Sequence, residues 1–433
     1  MRYVGNKVRN GLVGRVMEYG CIGERLVHSF SKEIHAALAD YNYELVELGP
    51  NEIPEFFSKR QFKAINVTIP YKTVVMEYLD EIDEASLEIG AVNTVVNRNG
   101  RLYGYNTDFF GMCELLRYNN ISLLGKKVLI LGGGGTSKTS FAVAKSCGAK
   151  EIFVVSRTKR EGTITYEEAL TAHKDAQVII NTTPVGMFPN IDEAPIDIDA
   201  FHKLEAVVDA VYNPLNSMLV QTAKDKGIKA TGGLYMLVMQ AVLAVEHFLD
   251  KKVEEKRATE CYKRVLASKQ NLVLIGMPTS GKSTLGRKAA NQTAMDFIDI
   301  DAEIVKGQNK PIPQIFEECG EKGFRDIESA VIKDIAARQT HVIATGGGAV
   351  LRPENIKALK LNGIVCFLDR AVDRLLITDD RPLSSTRENL ERLYKERYAL
   401  YCSAADFKVD CVESIEENIK KILEGFRNES SRN

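Results

Sequence analysis

The sequence predicts an α/β protein with parallel sheets. Two apolar strand-like runs, KKVLIL at 126–131 and NLVLIG at 271–276, are each followed by a glycine-rich loop and then by a helix-like run. A strand, a glycine loop and a helix in that order open a nucleotide-binding unit. After each loop, further strand-like runs alternate with helix-like ones, which is typical of a parallel sheet with helices on both faces. The two loops predict two nucleotide sites.

Length and composition indicate a globular protein of several domains. The 433 residues are 45% hydrophobic and 27% charged, with a net charge of −1, which gives no reason to expect nucleic acid or a membrane surface as a partner. The N-terminal MRYVGNKVRN resembles no targeting segment, and the apolar run at 234–245 is shorter than the roughly 20 residues of a membrane span. The eight cysteines form no Cys-x-x-Cys pair. We expect a cytoplasmic monomer or homodimer that acts on small molecules.

The predicted domain boundary lies in a charge-dense segment. Residues 249–270 contain neither glycine nor proline, and we expect a helix that closes the first module and then a short linker at 263–269. The first module then spans residues 1–262 and the second spans 270–433.

The second glycine loop is a phosphate-binding loop. Residues 276–284 (GMPTSGKST) match G-x-x-x-x-G-K-[ST] throughout. In such a loop backbone N–H groups converge on phosphates, the lysine bridges the β- and γ-phosphates, and the serine hydroxyl binds Mg²⁺. A chance match in a tight turn is the alternative, which the strand–loop–helix setting disfavours. The predicted ATP contacts are Gly276, Thr279, Ser280, Gly281, Lys282, Ser283 and Thr284, with Ser283 also a ligand of Mg²⁺.

Further motifs follow in a fixed order along the second module. They are the strand end 299–301 (DID), the segment 323–328 (GFRDIE), the triple glycine 346–348, the segment 380–383 (DRPL) and Arg397. Taken singly, each has an ordinary explanation, such as a helix cap or a surface arginine. As an ordered set they resemble the shikimate kinase family over essentially all of residues 270–425.

That resemblance implies a role for each matching residue. Asp301 would hold and deprotonate the acceptor hydroxyl, while Arg325 and Arg397 would clamp the substrate carboxylate. The other implied roles are substrate contacts by Gly347 and Gly348, water-mediated support of Mg²⁺ by Asp299, a nucleotide contact by Arg374 and stabilisation of the transferring phosphoryl group by Arg381 from a lid. The lid segment 377–380 (ITDD) is short and acidic, which departs from the family pattern.

The first glycine loop, 132–138 (GGGGTSK), is a partial dinucleotide fingerprint. Gly132 and Gly134 fit, but Ser137 stands at the third glycine position, so a structural turn is an equal alternative. The next strand ends in 156–160 (SRTKR), where an NAD site would place an acidic residue. A basic cluster there favours the 2′-phosphate of NADP, with a solvated turn beside Glu161 as the alternative.

Three groups of polar residues precede this loop. Segment 28–31 (HSFS) offers two hydroxyls, segment 66–72 (NVTIPYK) ends in a lysine, and segments 90–94 (GAVNT) and 104–108 (GYNTD) add amides and a carboxylate. A lysine beside an aspartate can hold and move a proton at a hydroxyl or carbonyl, as the reduction of a ketone requires. Ordinary turns and caps would explain any one of these motifs.

Together these motifs resemble the shikimate dehydrogenase family over residues 10–260, including 181–187 (NTTPVGM), 209–214 (DAVYNP) and 232–237 (GGLYML). The resemblance implies that Lys72 and Asp108 are the catalytic pair. It also implies a substrate lobe at about 1–107 plus 237–262 and a Rossmann-like NADP lobe at 108–236. The implied substrate contacts are Ser29, Ser31, Thr68, Asn93, Tyr212 and Gln240. The implied cofactor contacts are Gly132, Gly133, Gly134, Gly135, Thr136, Ser137, Lys138, Ser156, Arg157, Thr158, Lys159 and Gly233.

The two resemblances imply successive reactions on one molecule. The expected first reaction is reduction of 3-dehydroshikimate by NADPH, and the second is phosphorylation of the 3-hydroxyl of shikimate by ATP and Mg²⁺, both in aromatic amino-acid biosynthesis. The alternatives are a nucleotide-regulated binding protein with one or both sites inactive, or a first half that prefers quinate and NAD. Because each half holds a complete set of catalytic residues, we expect separable enzymes that share shikimate through solution.

Overall fold

Three β-sheets organise the chain, which the computed structural model describes at residues 17–26, 29–377 and 386–432. The predicted α/β class with parallel sheets is confirmed. By its internal contacts the chain separates into two units. One comprises residues up to Glu114, Lys138–Val143 and Met236–Cys261, and the other comprises Leu115–Ser137, Ala144–Tyr235 and Tyr262 onwards.

The first unit contains a six-stranded mixed sheet with the order β2-β1-β3-β5-β6-β4. Its strands are β1 (Tyr19–Gly23), β2 (Tyr43–Glu47), β3 (Ala64–Val67), β4 (Glu81–Ile82), β5 (Thr94–Arg98) and β6 (Arg101–Tyr105). Its helices are α1 (Ser31–Leu38), α2 (Ile53–Lys59) and α3 (Glu84–Ile89). Strands β5 and β6 form a hairpin because Asn99 and Gly100 both take positive φ, 53° and 86°, as a two-residue turn requires.

Four helices contain residues of both units. They are α4 (Thr107–Tyr118), α5 (Gly135–Ser146), α8 (Leu234–Leu249) and α9 (Glu255–Ala267).

The second unit contains two parallel sheets, of which the first has the order β12-β11-β10-β7-β8-β9. Its strands are β7 (Lys127–Leu131), β8 (Glu151–Ser156), β9 (Thr163–Thr165), β10 (Val178–Asn181), β11 (Ala206–Asp209) and β12 (Lys229–Thr231), and its further helices are α6 (Tyr166–Ala172) and α7 (Met218–Asp225). In chain order this is the 3-2-1-4-5-6 arrangement of doubly wound dinucleotide folds. The glycine loop at 132–135 follows β7, beside the point where the strand order reverses.

The other sheet of the second unit has the order β14-β15-β13-β16-β17, and its pairs are all parallel. Its strands are β13 (Asn271–Ile275), β14 (Asp296–Asp299), β15 (His341–Ala344), β16 (Gly363–Asp369) and β17 (Phe407–Asp410). Its helices are α10 (Lys282–Thr293), α11 (Ile300–Gln308), α12 (Ile312–Ala336, interrupted at Gly320), α13 (Pro353–Leu359), α14 (Arg387–Ala404) and α15 (Ile415–Arg432). Every residue of the central strand β13 is buried, and the phosphate loop follows it directly.

The predicted linker at 263–269 is mostly helical, because α9 continues to Ala267. The charges that suggested a linker alternate with an apolar stripe at helical spacing. This stripe is buried and consists of Ala258, Cys261, Tyr262, Val265 and Leu266. Tyr262 also packs edge-on against Tyr118 and Tyr235, with ring centroids 5.8 and 4.9 Å away.

The two expected halves are in contact through their parallel sheets. The sheets β7–β12 and β13–β17 lie in the same unit and are joined by hydrogen bonds. The amide N of Asn216 donates to the carbonyl O of Leu361 at 2.9 Å, and the amide N of Leu215 donates to Oδ1 of Asn362 at 3.0 Å. A division of the chain at 262–270 therefore does not coincide with the division by contacts.

Within the described ranges, no helix combines the length and the apolar character needed to cross a membrane.

Candidate active sites

Lys72 and Asp108 form a largely buried ion pair in the first unit. Lys72 Nζ lies 2.5 Å from Asp108 Oδ2, and the two side chains are 13% and 8% exposed. Asp108 belongs to the first turn of α4, where the positive end of the helix dipole stabilises a carboxylate. The carbonyl of Lys72 accepts a hydrogen bond from the amide of Val92 at 2.7 Å, which fixes the turn after β3. The predicted pair therefore meets in a geometry that can hold and transfer a proton.

Asn93 and Gln240, both predicted substrate contacts, lie together and are buried. Asn93 Oδ1 accepts hydrogen bonds from Thr107 N (2.7 Å), Thr107 Oγ1 (3.1 Å) and Thr94 Oγ1 (3.1 Å). These donors fix the amide so that its Nδ2 points toward Gln240 Oε1, 3.5 Å away. Gln240 Nε2 in turn donates to the carbonyl of Leu237 at 2.8 Å. The side-chain amides of Asn93 and Gln240 are thus held in fixed orientations, as substrate contacts require.

The predicted hydroxyl pair is also brought together. Ser29 Oγ lies 3.1 Å from Ser31 Oγ, and the amide of Ser31 donates to Ser29 Oγ at 3.3 Å where α1 begins. Thr68 follows β3, and its amide donates to the carbonyl of Ile22 at 3.0 Å. His28, which precedes the serines, lies outside the described residues.

Asn106 and Thr107 support this site, although the sequence analysis gave neither a role. Asn106 Oδ1 accepts from the amide of Phe109 at 3.1 Å and so caps α4. Its Nδ2 donates to the carbonyl of Ala91 at 2.8 Å and to Thr139 Oγ1 at 3.3 Å. The sequence signal for this cap is an asparagine two residues before an acidic residue of the first helical turn.

The glycine loop after β7 has the geometry of a phosphate cradle. Gly132 has φ +111°, and a Cβ there would lie 2.8 Å from Thr182 Oγ1, so the position demands glycine. A Cβ at Gly133 or Gly134 would meet nothing within 4 Å, and the loop leads at Gly135 into the positive N-terminal end of α5. An open loop at a helix N-terminus fits the pyrophosphate of a dinucleotide. Ser137, the departure from the fingerprint, is buried in the first turn of α5.

In the basic turn after β8, Arg157 is more available to bind a ligand than Lys159. Lys159 forms an ion pair with Glu168 on α6, whereas Arg157 is exposed and forms no ion pair within the described part of the chain. Ser156 Oγ donates to the carbonyl of Thr158 at 2.7 Å, which closes the turn. Of the predicted basic residues, Arg157 is the better placed to receive a 2′-phosphate.

Tyr212 and Gly233 lie where two backbone segments meet at the end of β11. The amide of Gly233 donates to the carbonyl of Val211 at 2.9 Å. A Cβ on Gly233 would lie 2.3 Å from the carbonyl O of Ala210, so only glycine permits this approach. The contact fixes the loop that contains Tyr212.

The buried Asp209 anchors the same loop. Its Oδ1 accepts from Asn181 Nδ2 at 2.8 Å and from the amide of Val211 at 3.0 Å, and its Oδ2 accepts from Ser217 Oγ at 2.5 Å. Burial raises the pKa of Asp209 to about 6, against the effect of its three donors. In the sequence, Asp209 stands out only as the first residue of the family motif at 209–214.

The phosphate loop after β13 takes the form that its motif predicts. Gly276 has φ +148°, and a Cβ there would lie 2.7 Å from the carbonyl O of Leu368. Lys282 is buried, and its Nζ donates to the loop carbonyls of Gly276 and Met277 at 2.9 and 2.8 Å. Ser280 Oγ is buried without a hydrogen-bond partner among the described residues. The ammonium group of Lys282 inside a glycine loop, beside the unsatisfied hydroxyl of Ser280, is the arrangement expected of a site that binds phosphate.

Ser283 and Asp299, the two predicted metal residues, are adjacent. Ser283 Oγ donates to Asp299 Oδ2 at 2.5 Å. Asp299 Oδ1 accepts from the amides of Asp301 and Ala302 at 3.1 and 3.4 Å, so the carboxylate also caps α11. One carboxylate and one hydroxyl beside a phosphate loop fit Mg²⁺, which takes few protein ligands and completes its shell with phosphate and water.

The two predicted carboxylate-binding arginines, Arg325 and Arg397, are 8% and 5% exposed and lie against the triple-glycine loop. Arg397 Nη1 donates to the carbonyl of Gly347 at 3.1 Å. A Cβ on Gly348 would lie 2.1 Å from Arg325 Nη2, so this glycine makes room for the guanidinium group. Both predicted glycines are therefore in the same site as both arginines.

Glu328, the last residue of the segment 323–328, is a member of this site for which the sequence predicted no role. It is fully buried, and its Oε2 lies 2.6 Å from Arg325 Nη1, one turn earlier on α12. Burial raises the pKa of Glu328, while the charge of Arg325 opposes that shift. A Cβ on Gly346 would lie 2.6 Å from Glu328 Oε1 and 2.8 Å from Asp301 Oδ1, so both carboxylates face this glycine. The i,i+3 spacing of arginine and glutamate was the available sequence signal.

The lid side of this site is only partly described. Arg381 and residues 378–385 lie outside the described residues. Arg374 is exposed in a single helical turn at 372–374. Leu376 donates its amide to Thr279 Oγ1 at 3.0 Å, and that hydroxyl lies 3.0 Å from the carbonyl O of Leu376. The stem of the lid segment is thus tied to the phosphate loop.

Two family models match separate parts of the chain. Residues 278–427 match the family model described as shikimate kinase, and residues 21–95 match the one described as shikimate dehydrogenase substrate binding domain. A shikimate dehydrogenase (NADP(+)) of Clostridium beijerinckii is 35% identical over 261 residues, which cover 56% of this chain and 96% of that protein.

Solved structures align with the same part of the chain. Shikimate dehydrogenase 1 of Peptoclostridium difficile aligns with a TM-score of 0.54 and 33% identity, over 57% of this chain and 97% of that one. The shikimate 5-dehydrogenase of Thermus thermophilus in complex with NADP(H) and shikimate aligns with a TM-score of 0.52 and 29% identity, over 57% and 99%.

Proposed function

The chain belongs to the shikimate dehydrogenase family and also contains a shikimate kinase domain, and from this premise we infer that it is a bifunctional enzyme of the shikimate pathway. Its dehydrogenase part reduces 3-dehydroshikimate to shikimate with NADPH. Its kinase part transfers the terminal phosphate of ATP to the 3-hydroxyl of shikimate, with Mg²⁺. The single observation that best supports the dual function is that one chain contains two sets of site residues. One is the Lys72–Asp108 ion pair, and the other is the pair of buried arginines Arg325 and Arg397 together with a phosphate loop.

In the reduction, NADPH supplies the hydride when bound. Lys72 would donate a proton to the ketone oxygen as negative charge develops there, and Asp108 would hold the ammonium group in position. The amides of Asn93 and Gln240 and the hydroxyls of Ser29, Ser31 and Thr68 would orient the substrate. The fixed orientation of Asn93, with three donors on its Oδ1, supports this assignment.

The cofactor contacts are assigned by the same reasoning. The backbone of 132–136 would cradle the pyrophosphate, and Arg157, with Lys159 after release from Glu168, would bind the 2′-phosphate. Gly233, which follows β12, completes the cofactor set, while Tyr212, in the loop after β11, would contact the substrate.

In the phosphoryl transfer, Asp301 would accept the proton of the acceptor hydroxyl. Arg325 and Arg397 would bind the carboxylate of shikimate in a planar, bidentate manner. Lys282 would leave the loop carbonyls for phosphate oxygens, and Ser283 would bind Mg²⁺, supported by Asp299. Arg374 would contact the nucleotide, and Arg381 would act from the lid on the transferring group.

We propose that the enzyme acts in the cytoplasm as a monomer or homodimer, with a functional division near residues 262–270. Cys21, Cys366 and Cys411 are buried free thiols, as expected in a reducing compartment.

One reaction tests the proposal. Purified protein is mixed with 3-dehydroshikimate, NADPH and Mg-ATP, and the products are followed by mass spectrometry. Shikimate and then shikimate 3-phosphate should accumulate. Binding of nucleotide without turnover would instead indicate a regulated binding protein, and faster turnover of quinate with NAD would identify a quinate dehydrogenase.

A further inference from the structure

A polar contact joins the loop after β11 to the kinase sheet, and we call it the seam. It consists of four hydrogen bonds. They run from Asn216 N to Leu361 O (2.9 Å), from Leu215 N to Asn362 Oδ1 (3.0 Å), from Gln339 Nε2 to Asn213 Oδ1 (3.0 Å) and from Gln221 Nε2 to Lys357 O (3.1 Å). An ion pair between Lys333 and Asp192 lies on the same side of the dehydrogenase sheet.

The buried part of the seam is specific because its polar groups satisfy one another. Asn362 is 2% exposed, and besides accepting from Leu215 it donates its Nδ2 to the carbonyl of Ala336 at 3.3 Å. Its own carbonyl accepts from the amide of Asn271, the first residue of β13, at 2.8 Å. Separation of the two surfaces would leave these groups without hydrogen-bond partners. A buried amide without a partner costs free energy, so the contact is favoured in this one arrangement.

The seam joins opposite edges of the two parallel sheets. Residues 213–216 follow β11 and so lie at the carboxyl edge of the dehydrogenase sheet, the edge at which its glycine loop follows β7. Gln339 precedes β15 and Asn362 precedes β16, so both lie at the amino edge of the kinase sheet. Ligands of open α/β sheets bind at the carboxyl ends of the strands. The non-catalytic edge of the kinase sheet therefore supports the catalytic edge of the dehydrogenase sheet.

The supported loop carries residues of the proposed dehydrogenase site. Tyr212 directly precedes Asn213, and the carbonyl of Val211 accepts from the amide of Gly233. The carbonyl of Asn213 accepts from the amide of Phe188 at 2.9 Å, in the loop that follows β10. Three residues of the loop, Asn213, Leu215 and Asn216, are thus held by kinase-domain groups.

We propose that the kinase domain positions the 211–216 loop for hydride transfer, with Gln339 and Asn362 as positioning residues of the dehydrogenase. This rests on the proposed roles of Tyr212 and Gly233 in the dehydrogenase site. The dependence has one direction. Changes in the seam alter the dehydrogenase, while the kinase site, at the carboxyl edge of its own sheet, keeps its activity.

The test uses the full chain with Gln339→Ala, which deletes one seam bond, and Asn362→Leu, which deletes the buried acceptor of Leu215 N. Arg338→Ala is the matched control, because Arg338 adjoins Gln339 but pairs with Asp334 in the last turn of α12. Two quantities are measured for each variant: kcat and KM of both reactions, and hydrogen exchange of the peptide covering 211–217. Gln339→Ala should lower dehydrogenase kcat/KM about threefold to tenfold, the size of one neutral hydrogen bond, and Asn362→Leu by about tenfold or more.

In both seam variants the loop peptide should exchange faster while kinase kcat and KM stay as in the control. Faster exchange with unchanged dehydrogenase kinetics would overturn the proposal, and so would slower catalysis with unchanged exchange. If Asn362→Leu also loses kinase activity, the kinase domain itself is damaged and Gln339→Ala decides. Tyr212→Phe in the otherwise unchanged chain tests the premise separately. If it leaves dehydrogenase KM and kcat unaltered, the site assignment of Tyr212 fails, whatever the seam variants do.

Discussion

Lys72 is the residue on which the proposed reduction depends most. Lys72→Ala removes the proton donor to the developing alkoxide, so dehydrogenase kcat should fall by about 10²–10⁴, the usual contribution of a general acid. Kinase kcat should not change, because its residues belong to another sheet. Lys63→Ala is the control, since Lys63 is an exposed lysine of the same lobe that pairs with Glu18. Reduction at near-normal rates by Lys72→Ala would refute the assignment.

Arg157 should decide the preference for NADPH over NADH. Because Arg157 is exposed and Lys159 is engaged by Glu168, Arg157→Ala should raise the KM for NADPH and leave that for NADH almost unchanged. The loss of a charged hydrogen bond corresponds to roughly tenfold or more in kcat/KM. The neighbouring Arg160→Ala serves as the control. An equal effect of the two substitutions, or better kcat/KM with NADH in the unaltered enzyme, would mean that the basic turn does not bind the 2′-phosphate.

Arg397 should contribute to binding of shikimate more than to phosphoryl transfer. Arg397→Ala removes a buried guanidinium group, so the KM for shikimate should rise about tenfold to a hundredfold while the KM for ATP stays constant. Arg392→Ala, on the exposed face of the same helix, should change neither constant. A raised KM for ATP with normal shikimate binding would contradict the assignment.

Residues whose roles follow from local motifs were predictable, whereas those defined by tertiary contacts were not. The phosphate loop could be named from its glycine spacing, whereas Lys72, Asp108 and Arg397 were named because their motifs resemble those of the two families. Glu328 has only a weak signal, its position three residues after Arg325, because an acidic residue on a helix is ordinarily solvated. Only its full burial beside Arg325 gives it a place in the site. Similarly, nothing local reveals that Lys159 pairs with Glu168.

At the scale of elements, strands and loops were predicted better than the helix between the modules. Each apolar run that the sequence placed before a glycine loop is a buried parallel strand, as β7 and β13 show. The predicted helix ends before α9 does, because the segment is dense in charge and resembles a linker. The five residues of the apolar stripe recur at helical spacing and are buried. Their spacing is hard to recognise in the sequence because charged residues surround them.

The phosphate loop offers a prediction at this scale, because its backbone conformation depends on glycine at position 276. Gly276→Ala would place a Cβ 2.7 Å from the carbonyl of Leu368 at a φ of +148°, so the loop must distort. We expect kinase kcat/KM for ATP to fall by at least about tenfold, with the dehydrogenase unaffected, since the distortion is local. Gly307→Ala on α11 is the control, because a Cβ there meets nothing within 4 Å. Normal ATP kinetics in Gly276→Ala would show that the loop tolerates a side chain.

At the scale of the whole molecule, sequence alone identified the two activities but not their physical connection. The motifs of each module are complete in themselves, so nothing in them suggested contact. The seam is formed by amide side chains and backbone groups of loops, which have no periodicity and no characteristic composition. The expectation of separable halves stays a prediction, to be weighed against the hydrogen bonds that join the sheet β7–β12 to the kinase sheet.

The seam nevertheless does not suggest a route for shikimate. It lies at the amino edge of the kinase sheet, whereas the phosphate loop follows β13 at the carboxyl edge, and a strand of five residues separates these edges by roughly 17 Å. Shikimate released by the dehydrogenase should therefore reach the kinase through solution.

Two full-length variants test this expectation. Lys72→Ala should keep only kinase activity, and Lys282→Ala should keep only dehydrogenase activity. An equimolar mixture of them, at the same concentration of each active site as the unaltered enzyme, should show the same lag before shikimate 3-phosphate appears. Unlabelled shikimate should dilute label entering as 3-dehydroshikimate equally in both. A shorter lag and resistance to dilution in the unaltered chain alone would demonstrate direct transfer, because tethering helps only a ligand that does not escape.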